Sequence, residues 1–148
     1  MRLSLTSVPI ALTIFMVTSQ LPTLALADSQ EIQCPFAIQA ESVRISDIKD
    51  DWVANFSMPL KLTAAGFMQG GPSMHADLKP YSTRKIPGGT AVAWVFQGAY
   101  PNGKWLSCEY ANGIASLSKR IADTTSECSV MYGGGKSGAY VVRSITCK

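Results

Sequence analysis

The sequence has a single histidine, His75, and no Cys-x-x-Cys pair among its four cysteines. These shortages exclude a good deal of chemistry. A Ser-His-Asp or Cys-His triad must be built on His75 or not at all. Zinc-finger and thioredoxin-type motifs need the close cysteine pair that is missing. A structural zinc site takes four ligands, and one histidine with scattered carboxylates is a poor set, so no metal and no cofactor are expected. Charge is scarce too: charged residues are 16% of the chain and the formal net charge is +3. A disordered charged tail or a nucleic-acid-binding arm needs denser charge, so no nucleic-acid partner is expected. The apolar stretch from Val8 through Val17 falls well short of the roughly 20 residues a bilayer-spanning helix requires.

That stretch has another reading. Arg2 is the only charge before Asp28, Pro22 breaks the apolar run, and Ala25-Leu26-Ala27 supplies small residues where a signal peptidase reads them. Residues 1–27 are therefore expected to be an export signal, with the mature chain starting at Asp28 as one domain over 28–148. Cys34 is too far from this cut to carry a lipid tether, so no membrane anchor is expected in the mature chain. The expected location is periplasmic or secreted.

Cys34, Cys108, Cys128 and Cys147 all fall after the cut. An even number of widely spaced cysteines in an oxidising compartment predicts two structural disulfides, with three possible connectivities. The strand pattern ranks them. Residues 90–96 are β-branched and aromatic, and 104–110 alternate, with Leu106, Cys108 and Tyr110 on one face. Asn112-Gly113 is a hairpin signal, because both residues tolerate positive φ. Segments 114–119, 127–132 and 140–147 continue the series, with Cys128, Val130 and Tyr132 on one face and Val141, Ile145 and Cys147 on another. Five successive strands joined by short loops predict an antiparallel meander, closing as a small all-β sandwich or partly open barrel. In a hairpin about the Gly-rich 133–138 tip, Cys128 lies opposite Cys147 in the register that sets Val130 opposite Ile145. In a plain meander Cys108 then sits two strands from Cys128, about 9–10 Å away and out of bridging range. That leaves Cys34–Cys108 as the second pair.

Upstream, residues 33–40 and 43–48 read as extended, Asp50-Asp51-Trp52-Val53 as a turn entering a strand, 60–67 as a strand in preference to a short helix, 73–78 as one helical turn, and Pro80 through Gly89 as a loop.

The anchors together, Cys34-Pro35, Gly71-Pro72, Leu78-Lys79-Pro80, Trp94, Trp105-Leu106-x-Cys108-x-Tyr110, Cys128-x-Val130-x-Tyr132 and Ile145-Thr146-Cys147, resemble a family of short, exported, functionally uncharacterised proteins of Gram-negative bacteria. The resemblance implies a periplasmic or secreted β-rich domain with two disulfides. It transfers no activity and no catalytic residue.

Candidate sites are few. Gly133-Gly134-Gly135-Lys136-Ser137 approaches a phosphate-binding loop, but that motif requires Gly where Val130 stands. His75 falls in a surface loop with no partner set around it. Asp47, Asp50, Asp51, Asp77 and Glu109 are the acids from which a carboxylate hydrolase would have to draw a pair. The strongest candidate is the basic stretch Lys79-Pro80-Tyr81-Ser82-Thr83-Arg84-Lys85, with Tyr100 and Lys104 of the following hairpin beside it. Lys79, Tyr81, Arg84, Lys85, Tyr100 and Lys104 are taken as a ligand-binding patch, suited to an acidic envelope or secreted protein or to an anionic glycan. The function expected first is an exported binding or inhibitory module of the bacterial envelope. The alternatives are a structural or accessory envelope protein without a small-molecule site, and a carboxylate-dependent hydrolase.

Overall fold

A computed structural model describes residues 29–134 and 140–148. The export-signal stretch 1–27, the proposed start at Asp28 and part of the Gly-rich tip lie outside the described residues. Among the described residues nine strands form: β1 (Gln30–Ile32), β2 (Ala37–Ile38), β3 (Leu60–Gln69), β4 (Ser82–Ile86), β5 (Gly89–Val95), β6 (Lys104–Tyr110), β7 (Ala115–Arg120), β8 (Glu127–Gly134) and β9 (Tyr140–Cys147). They make two antiparallel sheets, one in the order β1-β9-β8-β5-β4 and the other β2-β3-β6-β7. The fold is an all-β sandwich. The helical turns among the described residues, Ala40–Ser42 and Pro72–Met74, are single 3-10 turns, and no described helix is long and apolar enough to cross a membrane.

The alternation read from the sequence sets the inner faces. Leu106, Cys108 and Tyr110 of β6 are buried, as are Cys128 and Val130 of β8 and Ile145 and Cys147 of β9. A strand turns successive side chains to opposite faces, so every second residue reaches the core. Phe67 of β3 sits at the centre, edge-on to Trp94 at 5.1 Å and to Phe96 at 5.5 Å between ring centroids.

The meander is corrected. The hairpins β6–β7 and β8–β9 form, but β5 pairs with β8 and β6 with β3. The chain changes sheets between β5 and β6 and again between β7 and β8. Stacking two sheets buries both inner faces, whereas a single five-stranded meander leaves one apolar face without cover. Residues 43–48 form no strand, and Pro80 through Gly89 is not a loop: it contains β4 and the Pro87–Gly88 turn into β5. The Asn112–Gly113 turn has the expected register, with Cys108 opposite Leu117, but its loop spans 111–114, with positive φ at Ala111, Asn112 and Gly113.

In the last hairpin Cys128 pairs with Cys147 and Val130 with Ile145. Beyond Met131 the register slips, Met131 facing Ser144 and Tyr132 facing Val142. Arg143 is thus an extra residue in β9, and it inverts the faces of what precedes it. Val142, not Val141, therefore packs on the core.

Disulfides join Cys34 to Cys108 and Cys128 to Cys147, with Cα atoms 5.9 Å and 4.1 Å apart. These are the pairs that strand register favours, but one premise of that ranking fails: Cys108 and Cys128 lie in different sheets. The Cys34 bridge fastens the N-terminal segment to β6, and the Tyr110 hydroxyl adds to it by donating to the Pro35 carbonyl at 2.8 Å.

Candidate functional site

The basic stretch of the sequence becomes the end of a sheet. Pro80 and the Pro87–Gly88 turn, with Gly88 at φ 74°, bracket five residues that pair with β5 from Ser82↔Ala93 to Ile86↔Gly89. Gly89 has no room for a side chain, because a Cβ there would stand 1.8 Å from the Tyr132 carbonyl oxygen of β8. Among the described residues β4 has β5 as its one strand partner, and Ser82 through Lys85 are all exposed.

The strand separates the candidate cations. Arg84 lies opposite Ala91 and Lys85 opposite Thr90. Cross-strand partners share a face, so Arg84 is on the outer face and Lys85, though exposed, on the side that carries Val92 and Trp94. Tyr81, 75% exposed, and Lys79 precede them in the connecting loop. Among the described residues the ion pairs within 4.0 Å are Arg120–Asp123 and Lys148–Glu127, so neither Lys79, Arg84 nor Lys85 is neutralised by one.

Beside Arg84 the outer face is low. Ser82, Ala93, Ser129 and Thr146 form one cross-strand row, and Arg84, Ala91, Met131 and Ser144 form the next. A shallow groove runs over Ala91 and Ala93 between Arg84, Ile86, Glu127 and Met131.

Lys104 and Tyr100 do not join this surface as the sequence suggested. Lys104 is 7% exposed and donates to the carbonyls of Asp123 at 2.7 Å and Thr125 at 2.6 Å. Its ammonium also lies 5.4 Å from the Phe96 ring centroid and 5.3 Å from that of Tyr100. It ties the β7–β8 crossing to the start of β6. Tyr100 is half-buried and edge-on to Phe96.

The other candidates are dispersed. His75 closes the 3-10 turn in the left-handed region at φ 48° and is exposed. Asp77 bridges to Met68, Glu109 is half-buried on β6, and Asp47, Asp50 and Asp51 lie in the irregular 43–58 segment. Among the described residues no three His, Cys, Asp or Glu side chains gather as a metal site would need.

Sequence reasoning missed a second surface. In the 43–58 segment Ile45, Ile48, Trp52 and Val53 line an apolar hollow, with Trp52 75% and Val53 91% exposed. Trp52-Val53 was visible in the sequence, but only as a turn leading into a strand.

Two phenols sit at structural positions. Tyr132 donates to the Ala65 carbonyl at 2.7 Å and accepts from the Ala65 N–H at 3.3 Å, reaching from β8 to β3 in the other sheet. Burial pushes its pKa up, the hydrogen bond to Ala65 pulls it partly back, and the charge of Glu109 adds to the rise. Burial likewise raises Tyr110.

The described residues form a disulfide-stapled β-sandwich whose exposed candidates are cationic and aromatic. Residues 57–148 match the model of the Type VI secretion system Tli immunity protein family, and the chain belongs to that family. The match takes in β3 through β9 and three of the four cysteines. Cys34, β1, β2 and most of the apolar segment precede it. The family carries a described role, whereas the resemblance read from the sequence carried none. No curated protein matches the chain. No solved structure matches it.

Proposed function

We propose that this chain is an exported immunity protein that binds and neutralises a type VI secretion toxin by occupying its surface, without chemistry of its own. The observation that carries the reading is the family match, which spans seven of the nine strands and both sheets. The structure is compatible with it: the sandwich presents edges and loops on a rigid core, an arrangement suited to recognition. Two disulfides suit an oxidising compartment, and with the export signal expected over 1–27 they favour the periplasm. A protein partner fits this role, and the anionic-glycan alternative has no observation of its own. Lys79, Tyr81, Arg84 and Lys85 are the residues we assign to partner contact. Lys104, which is buried, and Tyr100, which is half-buried, are not assigned to contact.

The test is protection. Cells producing the cognate type VI effector, directed to the periplasm, should grow only when the chain is co-expressed with residues 1–27 in place. The purified proteins should form a stoichiometric complex. Failure to protect, with the chain correctly exported and folded, would refute the reading.

A further inference from the structure

We propose that the free edge of β4 is the toxin-docking element, and that it takes up an extended acidic segment of the toxin as an added antiparallel or parallel strand. The inference rests on the immunity reading and specifies where and how the partner is held.

The backbone supports it first. Gly134 N–H donates to the Gly88 carbonyl and Phe96 N–H to the Ser126 carbonyl, so even-numbered residues along β5 turn their main-chain groups to β8. Odd-numbered ones turn to β4, where Gly89, Ala91 and Ala93 face Ile86, Arg84 and Ser82. Alternation then points the N–H and C=O of Thr83 and Lys85 away from the sheet. Each is exposed, and together they form a short ladder open to another strand.

Other edges are less suited. β1 has three residues and β2 two. The edge of β3 away from β6 is occupied along its length: β2 pairs with Leu60 and Lys61, the Tyr132 hydroxyl takes both main-chain groups of Ala65, and Leu78 N–H donates to Phe67. β7 is long enough. Its Ile121 N–H donates to Lys104, so Ser116, Ser118 and Arg120 are the residues that turn outward there. Arg120, however, is already paired with Asp123 at 3.0 Å.

Charge then identifies the occupant. Arg84 and Lys85 flank the open ladder on opposite faces. Neighbouring residues of an added strand also alternate, so two adjacent acids would meet the two cations in turn. Lys79 and Tyr81 extend the basic, aromatic surface past one end, and the low floor of Ala91 and Ala93 leaves room for side chains leaning over the outer face.

The test titrates the chain, by calorimetry, with the effector against which it protects cells. Thr83→Pro and Lys85→Pro each remove one outward N–H while sparing the bonds to β5, a position where an edge strand accepts proline. Each should weaken binding tenfold or more with the melting temperature nearly unchanged. Arg84→Glu combined with Lys85→Glu should weaken it at least as much, and added salt should weaken the wild type. Ser116→Pro, the matching change on β7, should bind as wild type does. In the complex the amides of Thr83 and Lys85 should gain protection from hydrogen exchange. Wild-type affinity in the two β4 proline variants, or loss of binding in Ser116→Pro alone, would overturn the proposal and leave the immunity reading standing. If a proline variant unfolds, unprotected Thr83 and Lys85 amides in the wild-type complex would overturn it equally. No binding by the wild type would instead sink the immunity reading, and this inference with it.

Discussion

β3 and β4 each present an edge that no full-length strand covers, and the protein treats the two edges differently. Along β3 the exposed main chain is closed by the molecule itself, with β2 at one end, the Tyr132 hydroxyl in the middle and the 76–78 segment at the other end. Ala76, Leu78 and Tyr132, whose groups make these bonds, are uncharged and half-buried, and Phe67 on the same strand is at the centre of the core. Along β4 nothing among the described residues takes the outward groups, and the side chains beside them are an arginine and a lysine. Bare edges invite unwanted pairing, and charge is one way proteins discourage it. The same charge discourages apolar and basic strands while remaining open to an acidic one. An edge sealed from within belongs to the fold; an edge guarded by charge is available to a chosen partner.

The largest effect expected from that contrast is on stability. Phe67→Ala removes a side chain that is 2% exposed and set edge-on against two aromatic rings, and should cost about 3–5 kcal/mol in denaturant unfolding. Thr83→Ala on β4 should stay within about 0.5 kcal/mol of wild type. If the two cost the same, β4 is as structural as β3 and the contrast collapses. Next comes the seal itself. Tyr132→Phe keeps the ring and removes the hydroxyl, leaving the Ala65 N–H and C=O without that partner, and should cost about 1–3 kcal/mol. Hydrogen exchange should then quicken at Ala65 before it does at Val130.

The two edges were unequally legible in the sequence. β3 was visible because its Leu60–Phe67 run is apolar and ends at Gly70-Gly71-Pro72. β4 was hidden because a strand at the end of a sheet, exposed on nearly every residue, has no alternation to read, and Pro80 and Pro87-Gly88 on either side look like loop chemistry. Thr83 and Ile86, both β-branched, just before a Pro-Gly turn into an obvious strand were the available signal. The hairpins and their registers were readable because a turn and a face pattern fix them locally. The assignment of hairpins to two sheets was not, since Asn112-Gly113 says which strands pair across it and nothing about which sheet β5 joins. The candidate site shared that limit: Lys79, Tyr81, Arg84 and Lys85 are neighbours in sequence, whereas the burial of Lys104 depends on the β7–β8 crossing that brings Asp123 and Thr125 to its ammonium.

A smaller effect separates the edges by function. Lys85→Pro should change stability by less than about 1 kcal/mol, since the N–H it removes makes no bond to β5. A cost of several kcal/mol, measured by urea unfolding, would mean that β4 turns its main chain the other way and that its outward ladder belongs to Ser82 and Arg84.

The smallest effect lies in alkaline solution and bears on the seal of β3. Burial holds the Tyr132 pKa above its ordinary value of 10.0. An unfolded chain, with an ordinary tyrosine, therefore loses its phenolic proton at lower pH than the folded chain does. Below about pH 10 both states keep the proton and Tyr132 contributes its full stabilisation. As pH rises past that point the unfolded state binds fewer protons, so stability falls, and the contribution is lost as pH climbs through the raised folded value. Phenylalanine cannot ionise. Unfolding free energies of wild type and Tyr132→Phe, followed from about pH 9 to pH 11, should therefore converge as pH rises, because the wild type alone carries this slope. Tyr110 is raised in the same direction by burial and contributes equally to both proteins, so it cancels from the difference. A gap that stays constant across the range would mean that the Tyr132 hydroxyl titrates as it does in the unfolded chain, and that it does not close the β3 edge as a buried, neutral donor.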